Sequence, residues 1–368
     1  MSNRISRVQD QLKEHDTEAL LVTHLPNVRW ACGFTGSNGL LIVGAEEAHF
    51  VTDGRYDTQA HREVEGAQIH VYDDSMWTYV EEAALLDGYG KIAFQSDHVT
   101  VQRFQALEKR FEAVQWTPVD GLLSQQVAVK DDDEIERIVR AQRVTEAVLE
   151  EIVERIEPGR TERDVAADIV HAHLQRGAEK MSFDPIVASG PNAALPHARP
   201  TDRVLQHGDL VVLDMGGFVD GYASDMTRTV SVGEPGERQR QVHEAVRRAQ
   251  KAALQEARAG LTGAELDGVA RSVLEEEGLA SYFTHSLGHG LGLEIHEGPR
   301  VSRQSDEALP AGACVTIEPG VYMPEEEIGV RIEDIIVLEE DGCRNLTEAS
   351  HELRVVAGGD APAPGDWG

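Results

Sequence analysis

The stretch LDMGGFVDGYASDMTRT, residues 213–229, reads as a β-hairpin that carries a carboxylate on each strand. The runs Asp209–Leu213 and Met226–Val230 are β-prone, and Asp220-Gly221 between them is a strong two-residue turn signal. With that turn, Val219 faces Tyr222, and counting back sets Asp225 opposite Gly216. Asp214 lies two residues from Gly216 and leaves the same face of the sheet. The two carboxylates are then diagonal neighbours, close enough to repel each other, and Gly216-Gly217 leave that face open. A solvent-exposed polar face is the plain explanation. It weakens if the rest of the chain supplies partners that want anionic oxygen.

Three further segments supply them. THSLGHGLGLEIHEGP, residues 284–299, holds His285, His289 and His296 among glycines that allow close backbone approach. VTIEPGVY, residues 315–322, ends an apolar run on Glu318. GVRIEDIIVL, residues 329–338, is expected to place Glu333 within a strand, with Arg331 on the same face two residues earlier. A carboxylate buried in such a strand costs several kcal/mol unless it is paired or coordinated. Each residue alone has an ordinary reading: a satisfied structural histidine, an Arg331–Glu333 pair, a strand end at Glu318. Together they would need separate excuses. Two Asp, two Glu and one His match a dinuclear site for a hard or borderline ion such as Mn²⁺ or Co²⁺. Two ions ~3.5–4 Å apart can share a bridging water and hold it as hydroxide near neutral pH.

Working outward, residues 1–127 read as a smaller mixed α/β unit. An opening helix (Ile5, Val8, Leu12) precedes strands at 19–22, 39–43, 49–52 and 68–71. A helix near 76–87, a strand at 91–94 and a helix near 101–112 follow. The charge run Lys130–Glu134 opens a long amphipathic helix to about residue 156, so a second domain is set at 128–358, with a frayed tail at 359–368. That domain contains an internal repeat. Helices end at Pro158-Gly159 and at Ala259-Gly260, and the capping-box patterns Thr161–Asp164 and Thr262–Glu265 follow, 101 residues apart. Each second helix leads to a histidine-bearing segment, so two similar halves would clasp one site. The fold class is α/β (α+β).

Composition narrows the partners. The 368 residues carry a net charge of −31, which disfavours nucleic acid and anionic membrane as partners. No apolar run approaches the ~20 residues of a bilayer span, and MSNRISRVQDQLKEHD lacks a signal peptide's apolar core. The three cysteines, Cys32, Cys314 and Cys343, are scattered and odd in number, as expected of reduced thiols in a soluble cytoplasmic protein. Only six of the 34 basic residues are lysine, and with the carboxylate excess this points to a halophile.

The chain resembles the pita-bread metallopeptidases, and within them the aminopeptidase P and Xaa-Pro dipeptidase (prolidase) group. The resemblance rests on ASGPNAALPHARPTD (188–202), LDMGGFVDGYASDMTRT, HSLGHGLGLEIHEGP, TIEPGVY and GVRIED, in the family's order and spacing. NVRWACGFTGSNGLLIV (27–43) and VTDGRYDTQA (51–60) resemble a creatinase-type N-terminal domain. It implies a pita-bread catalytic domain with a pseudo-two-fold repeat, and cleavage of Xaa-Pro bonds at peptide N-termini or in dipeptides. It further implies that Asp214, Asp225, His289, Glu318 and Glu333 bind two divalent ions, most often Mn²⁺, with Co²⁺ or Zn²⁺ as alternatives. Asp225 and Glu333 would bridge the ions, and Glu318 would also serve as general base. His197 and His296 would hold substrate and stabilise the oxyanion, His285 would lie on the substrate side, and Arg331 would orient the bridging carboxylates. A homodimer is implied as well. One position departs from the family: where many relatives carry an arginine fourteen residues before the glutamate, this chain has Gln304, with Arg303 beside it and Arg300 nearby. That leaves dipeptides against longer peptides open.

Competing readings are a methionine-aminopeptidase-like enzyme, a metal-free creatinase and a non-catalytic peptide-binding protein. The N-terminal domain and the LPH segment at 195–197 speak against the first, and the filled ligand positions against the other two.

Overall fold

The computed structural model describes residues 4–356, so the tail expected at 359–368 lies outside the described residues. The chain divides into two compact units between Val127 and Ala128.

The first unit is built on a six-stranded mixed sheet. Its spatial order is Gln68–Tyr72, Ala48–Asp53, Leu40–Gly44, Ala19–Val22, Lys91–Gln95, Gln115–Val119. The central runs ALLV and LLIVG are buried at every position, which is why they read as continuous apolar stretches without alternation. The sixth strand, Gln115–Val119, has no counterpart among the expected elements, because Pro118 argues against a central strand. The structure puts it at the sheet edge, where a missing N–H is tolerated. A further unexpected element is the helix Leu25–Cys32, which opens with a proline in its first turn and stops on Gly33 at φ +85°. The helix expected to reach residue 87 is Met76–Glu82, cut short before Ala84 turns left-handed at φ 54°.

The second unit opens with the helix Asp132–Val153. The charge run that announced it is its capping box: the Asp131 side chain accepts from Glu134 N–H, and the Glu134 side chain accepts from Asp131 N–H. The helices Glu162–Gln175 and Gly263–Glu276 start in the same way on Thr161/Asp164 and Thr262/Glu265. Each cap threonine also forms an isolated bridge to a later segment, Thr161 with Val204 and Thr262 with Ala308. The repeat is therefore structural. In the first half Ile152, Val165 and Ile169 pack on Val187, Leu213 and Met215. In the second, Val246, Ala249, Leu266 and Leu274 pack on Val315, Ile317 and Ile336.

The hairpin follows the two-residue turn. Val219 pairs with Tyr222, Met215 with Met226 and Asp214 with Thr227, all in one register. Asp220 and Gly221 sit at φ 50° and 78°, the left-handed pair of a type I′ turn. The face is not open, however. Asp214 is 8% and Asp225 4% exposed. A Cβ on Gly216 would come within 2.0 Å of the Ser224 carbonyl, so the glycine serves close backbone approach. Glu333, expected within a strand, lies between two. The strand Ile328–Arg331 ends before it and Asp334–Glu339 begins after it, so Glu333 sits in the two-residue link. Its N–H donates to the Thr227 carbonyl at 3.1 Å, which ties the link to the aspartate hairpin.

Candidate metal centre

Four strands carry or flank Asp214, Asp225, His289 and Glu318, and the link after Ile328–Arg331 brings Glu333. Asp214 comes from Leu210–Met215, and Asp225 from just ahead of Met226–Val232. His289 is the middle residue of Gly288–Gly290, and Glu318 directly follows Cys314–Ile317. Ligand atoms of Asp225, His289 and Glu333 all lie within 4.8 Å of one another. His289 Nε2 is 3.5 Å from Asp225 Oδ2 and 3.5 Å from Glu318 Oε1. Asp214 stands slightly apart: its Oδ2 accepts from Arg331 Nη2, while its buried Oδ1 has no hydrogen-bond partner among the described residues.

Hydrogen bonding sets the histidine tautomer. His289 Nδ1 is 3.1 Å from the Gly290 carbonyl, which can only accept, so Nδ1 carries the proton. Nε2 therefore presents a bare lone pair to two carboxylate oxygens. Burial holds this imidazole down at a pKa of about 4, so it stays neutral. The carboxylates move the other way. Burial, then the charges of Glu333, Asp214 and Glu318, push Asp225 well above the usual carboxylate range. Burial with Glu318 and Asp214 does the same to Glu333. Burial lifts Glu318 to about 8 against the pull of Arg331, and Asp214 rises for the same reason. Three buried carboxylates, the partly buried Glu318 and a neutral imidazole gathered together are a poor protein interior but a good cation site. The donor set fits divalent ions.

Around the ligands runs a polar frame. Arg331, 4% exposed, donates from Nε to Thr227 Oγ1 (3.0 Å), from Nη1 to Tyr322 Oη (2.7 Å) and the Pro196 carbonyl (3.2 Å), and from Nη2 to Asp214. Thr227 Oγ1 in turn donates a hydrogen bond to Glu333 Oε2 at 2.6 Å. Arg331 thus reaches Asp214 directly and Glu333 only through Thr227, not as the same-face pair expected. His285 Nδ1 donates to the Ser286 carbonyl, and its Nε2 accepts from Tyr322 Oη at 3.1 Å. The His296 ring packs edge-on against His289, with centroids 4.4 Å apart. His197 is exposed and lies near enough to Asp214 and His285 to interact with both electrostatically. Arg300 lies directly across from His289 on the neighbouring strand, while Arg303 and Gln304 are exposed in the following turn.

Three contributors were missed in the sequence. Thr227 was findable, since the same turn count that aligns Asp225 with Gly216 puts Thr227 opposite Asp214. Thr316, two residues before Glu318, accepts from His289 N–H (3.1 Å) and donates to Glu318 Oε1 (3.2 Å). Period-two alternation would have put its side chain on the Glu318 face. Tyr322 stood in a quoted motif, but nothing local marked its hydroxyl.

Comparisons with known proteins give the family. Residues 136–340 match Metallopeptidase family M24, and residues 4–129 match the Creatinase/Prolidase N-terminal domain. The chain is 34% identical to an Xaa-Pro dipeptidase of Pyrococcus horikoshii, over 96% of this chain and 99% of that protein. Among solved structures, an Xaa-Pro dipeptidase from Bacillus anthracis superposes with a TM-score of 0.92 at 35% identity, covering 96% of this chain and 99% of that one. An X-Pro aminopeptidase from Thermotoga maritima superposes at 0.89 with 35% identity, covering 94% and 100%.

Proposed function

This chain belongs to metallopeptidase family M24, with a creatinase/prolidase N-terminal domain, and on that premise we propose that it hydrolyses Xaa-Pro bonds, dipeptides foremost. The observation that carries the reading is the convergence of Asp225, His289 and Glu333 within 4.8 Å beside the unpartnered Oδ1 of Asp214. Together with Glu318 these residues would hold two divalent ions, Mn²⁺ in the first instance and Co²⁺ or Zn²⁺ as alternatives. Such ions, when bound, supply an acidified water and polarise the scissile carbonyl.

The side chains account for the rest of the chemistry. Glu318, steadied at Oε1 by Thr316, takes a proton from the attacking water and returns it to the leaving nitrogen. Arg331 and Thr227 hold Asp214 and Glu333 in place against their mutual repulsion. His197 and His296 hold the substrate and stabilise the developing oxyanion, with His285 beside them on the Tyr322 hydroxyl. An Xaa-Pro bond is a tertiary amide with no N–H, so a site that acts on the carbonyl and the ring nitrogen loses nothing by that absence. Arg300, across from His289 and acting on the charge of both His289 and His296, meets the substrate carboxylate in place of the residue at Gln304.

The free cysteines suit the cytoplasm, and the charge of −31 with six lysines suits a high-salt cell. A homodimer is the assembly to look for by light scattering, with the catalytic domain placed at 128–358. The reading is tested by hydrolysis of Ala-Pro against Ala-Pro-Pro with Mn²⁺, in dilute buffer and in molar KCl. Faster cleavage of the dipeptide supports it. Preference for the tripeptide makes the chain an aminopeptidase P, and cleavage of neither removes the proline assignment.

A further inference from the structure

A fully buried carboxylate that the proposed chemistry does not use stands behind the His197 loop. Glu162, first residue of the helix Glu162–Gln175, is 0% exposed. Donors converge on it from three residues. Ser189 gives its N–H (2.8 Å) and its hydroxyl (2.7 Å) to Oε1. Thr201 gives its N–H (2.9 Å) and its hydroxyl (2.7 Å) to Oε2. The Asn192 amide lies 3.1 Å from both oxygens and also reaches Thr201 Oγ1 at 3.3 Å.

Ser189 and Thr201 are the two ends of the segment that carries His197, so one side chain roots the loop at both ends. Further hydrogen bonds brace the loop internally. Leu195 N–H donates to the Asn192 carbonyl and Ala198 N–H to the Leu195 carbonyl. At the far side the Pro196 carbonyl accepts from Arg331 Nη1, which joins the loop to the metal centre's frame. The second half of the unit repeats the device with other residues. Asp267, also 0% exposed, accepts from Leu287 N–H at 3.0 Å and pairs with Arg271, which donates to the Phe283 and His285 carbonyls.

We propose that Glu162 is a positioning residue for His197, setting the height and angle of the loop against the metal centre through its grip on Ser189, Asn192 and Thr201. The proposal rests on the reading of His197 as a substrate-side histidine. A glutamine cannot replace Glu162, because its NH₂ would face donors on one side.

The test is a double-mutant cycle on the full chain loaded with Mn²⁺, with Ala-Pro as substrate. Glu162→Gln is expected to lower kcat/KM by about 10- to 100-fold, while Mn²⁺ affinity by calorimetry stays within about threefold. In a His197→Ala background the same change should cost less than about twofold. Thr201→Val, which removes one hydroxyl, should give a smaller loss with the same dependence on His197, and it stands in if Glu162→Gln does not fold. An equal loss with and without His197, or a parallel fall in Mn²⁺ affinity, overturns the proposal. If the unmodified protein does not cleave Ala-Pro, the functional reading fails, and amide exchange decides the positioning role separately. Faster exchange across 190–200 in Glu162→Gln, with 210–232 unchanged, supports it; unchanged exchange across 190–200 overturns it.

Discussion

At the scale of single residues the centre is defined by atoms whose needs the protein itself leaves unmet. His289 Nε2 faces two carboxylates with no proton to offer, and Asp214 Oδ1 is buried without a donor among the described residues. Like charges held together in a desolvated pocket cost stability in the metal-free protein and are relieved by a cation. Asp225→Asn should therefore raise the melting temperature of chelator-treated protein, by the equivalent of about 1–2 kcal/mol, and abolish the stabilisation that Mn²⁺ gives the unmodified chain. Calorimetric melts with EDTA and with Mn²⁺ measure both effects, and a metal-free variant less stable than its parent would refute the account. Arg331→Lys tests the frame. A lysine cannot span Asp214, Thr227, Tyr322 and the Pro196 carbonyl at once, so kcat should fall about 10- to 100-fold with the fold retained. Steady-state kinetics beside a circular dichroism spectrum would show it.

At the scale of elements, helix caps and close backbone approaches set where the strand ends fall. Thr262 caps the helix Gly263–Glu276 through Glu265 N–H and Glu265 in turn accepts from Thr262 N–H, so Thr262→Ala should cost about 1 kcal/mol in urea unfolding. Gly329 has a sharper demand. A Cβ there would lie 1.7 Å from the Ala193 carbonyl, in the loop that carries His197. Gly329→Ala must push that loop or the strand Ile328–Arg331 aside. Overpacking of this kind costs about 1–3 kcal/mol, and kcat/KM should drop although no ligand side chain has changed. Full activity together with a normal unfolding midpoint would contradict this.

At the scale of the whole molecule, charge sets the conditions for folding. With a net charge of −31, self-repulsion opposes compaction, and salt screens it. The unfolding midpoint should rise between dilute buffer and molar KCl; full stability and activity in dilute buffer would sink the halophile reading. Acidity acts through buried groups away from the centre. Burial holds His243 down to about 4, reinforced by the charges of Arg247, Arg228 and His351 and opposed by Glu244. Its folded pKa lies below the unfolded 6.5, so the unfolded chain takes up the proton first as pH falls. The contribution is complete above pH 6.5 and is lost towards pH 4, at most roughly 3 kcal/mol. His243→Gln should flatten the pH dependence of urea unfolding across that window.

What the sequence determined by itself was local. A two-residue turn and a period of two set the register of Asp214, Asp225 and Thr227, and threonines three residues ahead of Asp164 and Glu265 announced two helix starts. These are legible because backbone geometry within a strand or a turn of helix leaves few choices. The motif order also carried the family. The choice of partners was decided only by the tertiary structure. Arg331 took Asp214, 117 residues away, over its near neighbour Glu333, and Lys130 in the opening charge run became a buried partner of Glu297. Glu162, read in the sequence as part of a capping pattern, became the anchor of a loop 27 to 39 residues ahead of it. A side chain's partner depends on which distant segments packing brings within about 3 Å, and on which buried donors and acceptors are still unsatisfied there. No local period encodes that.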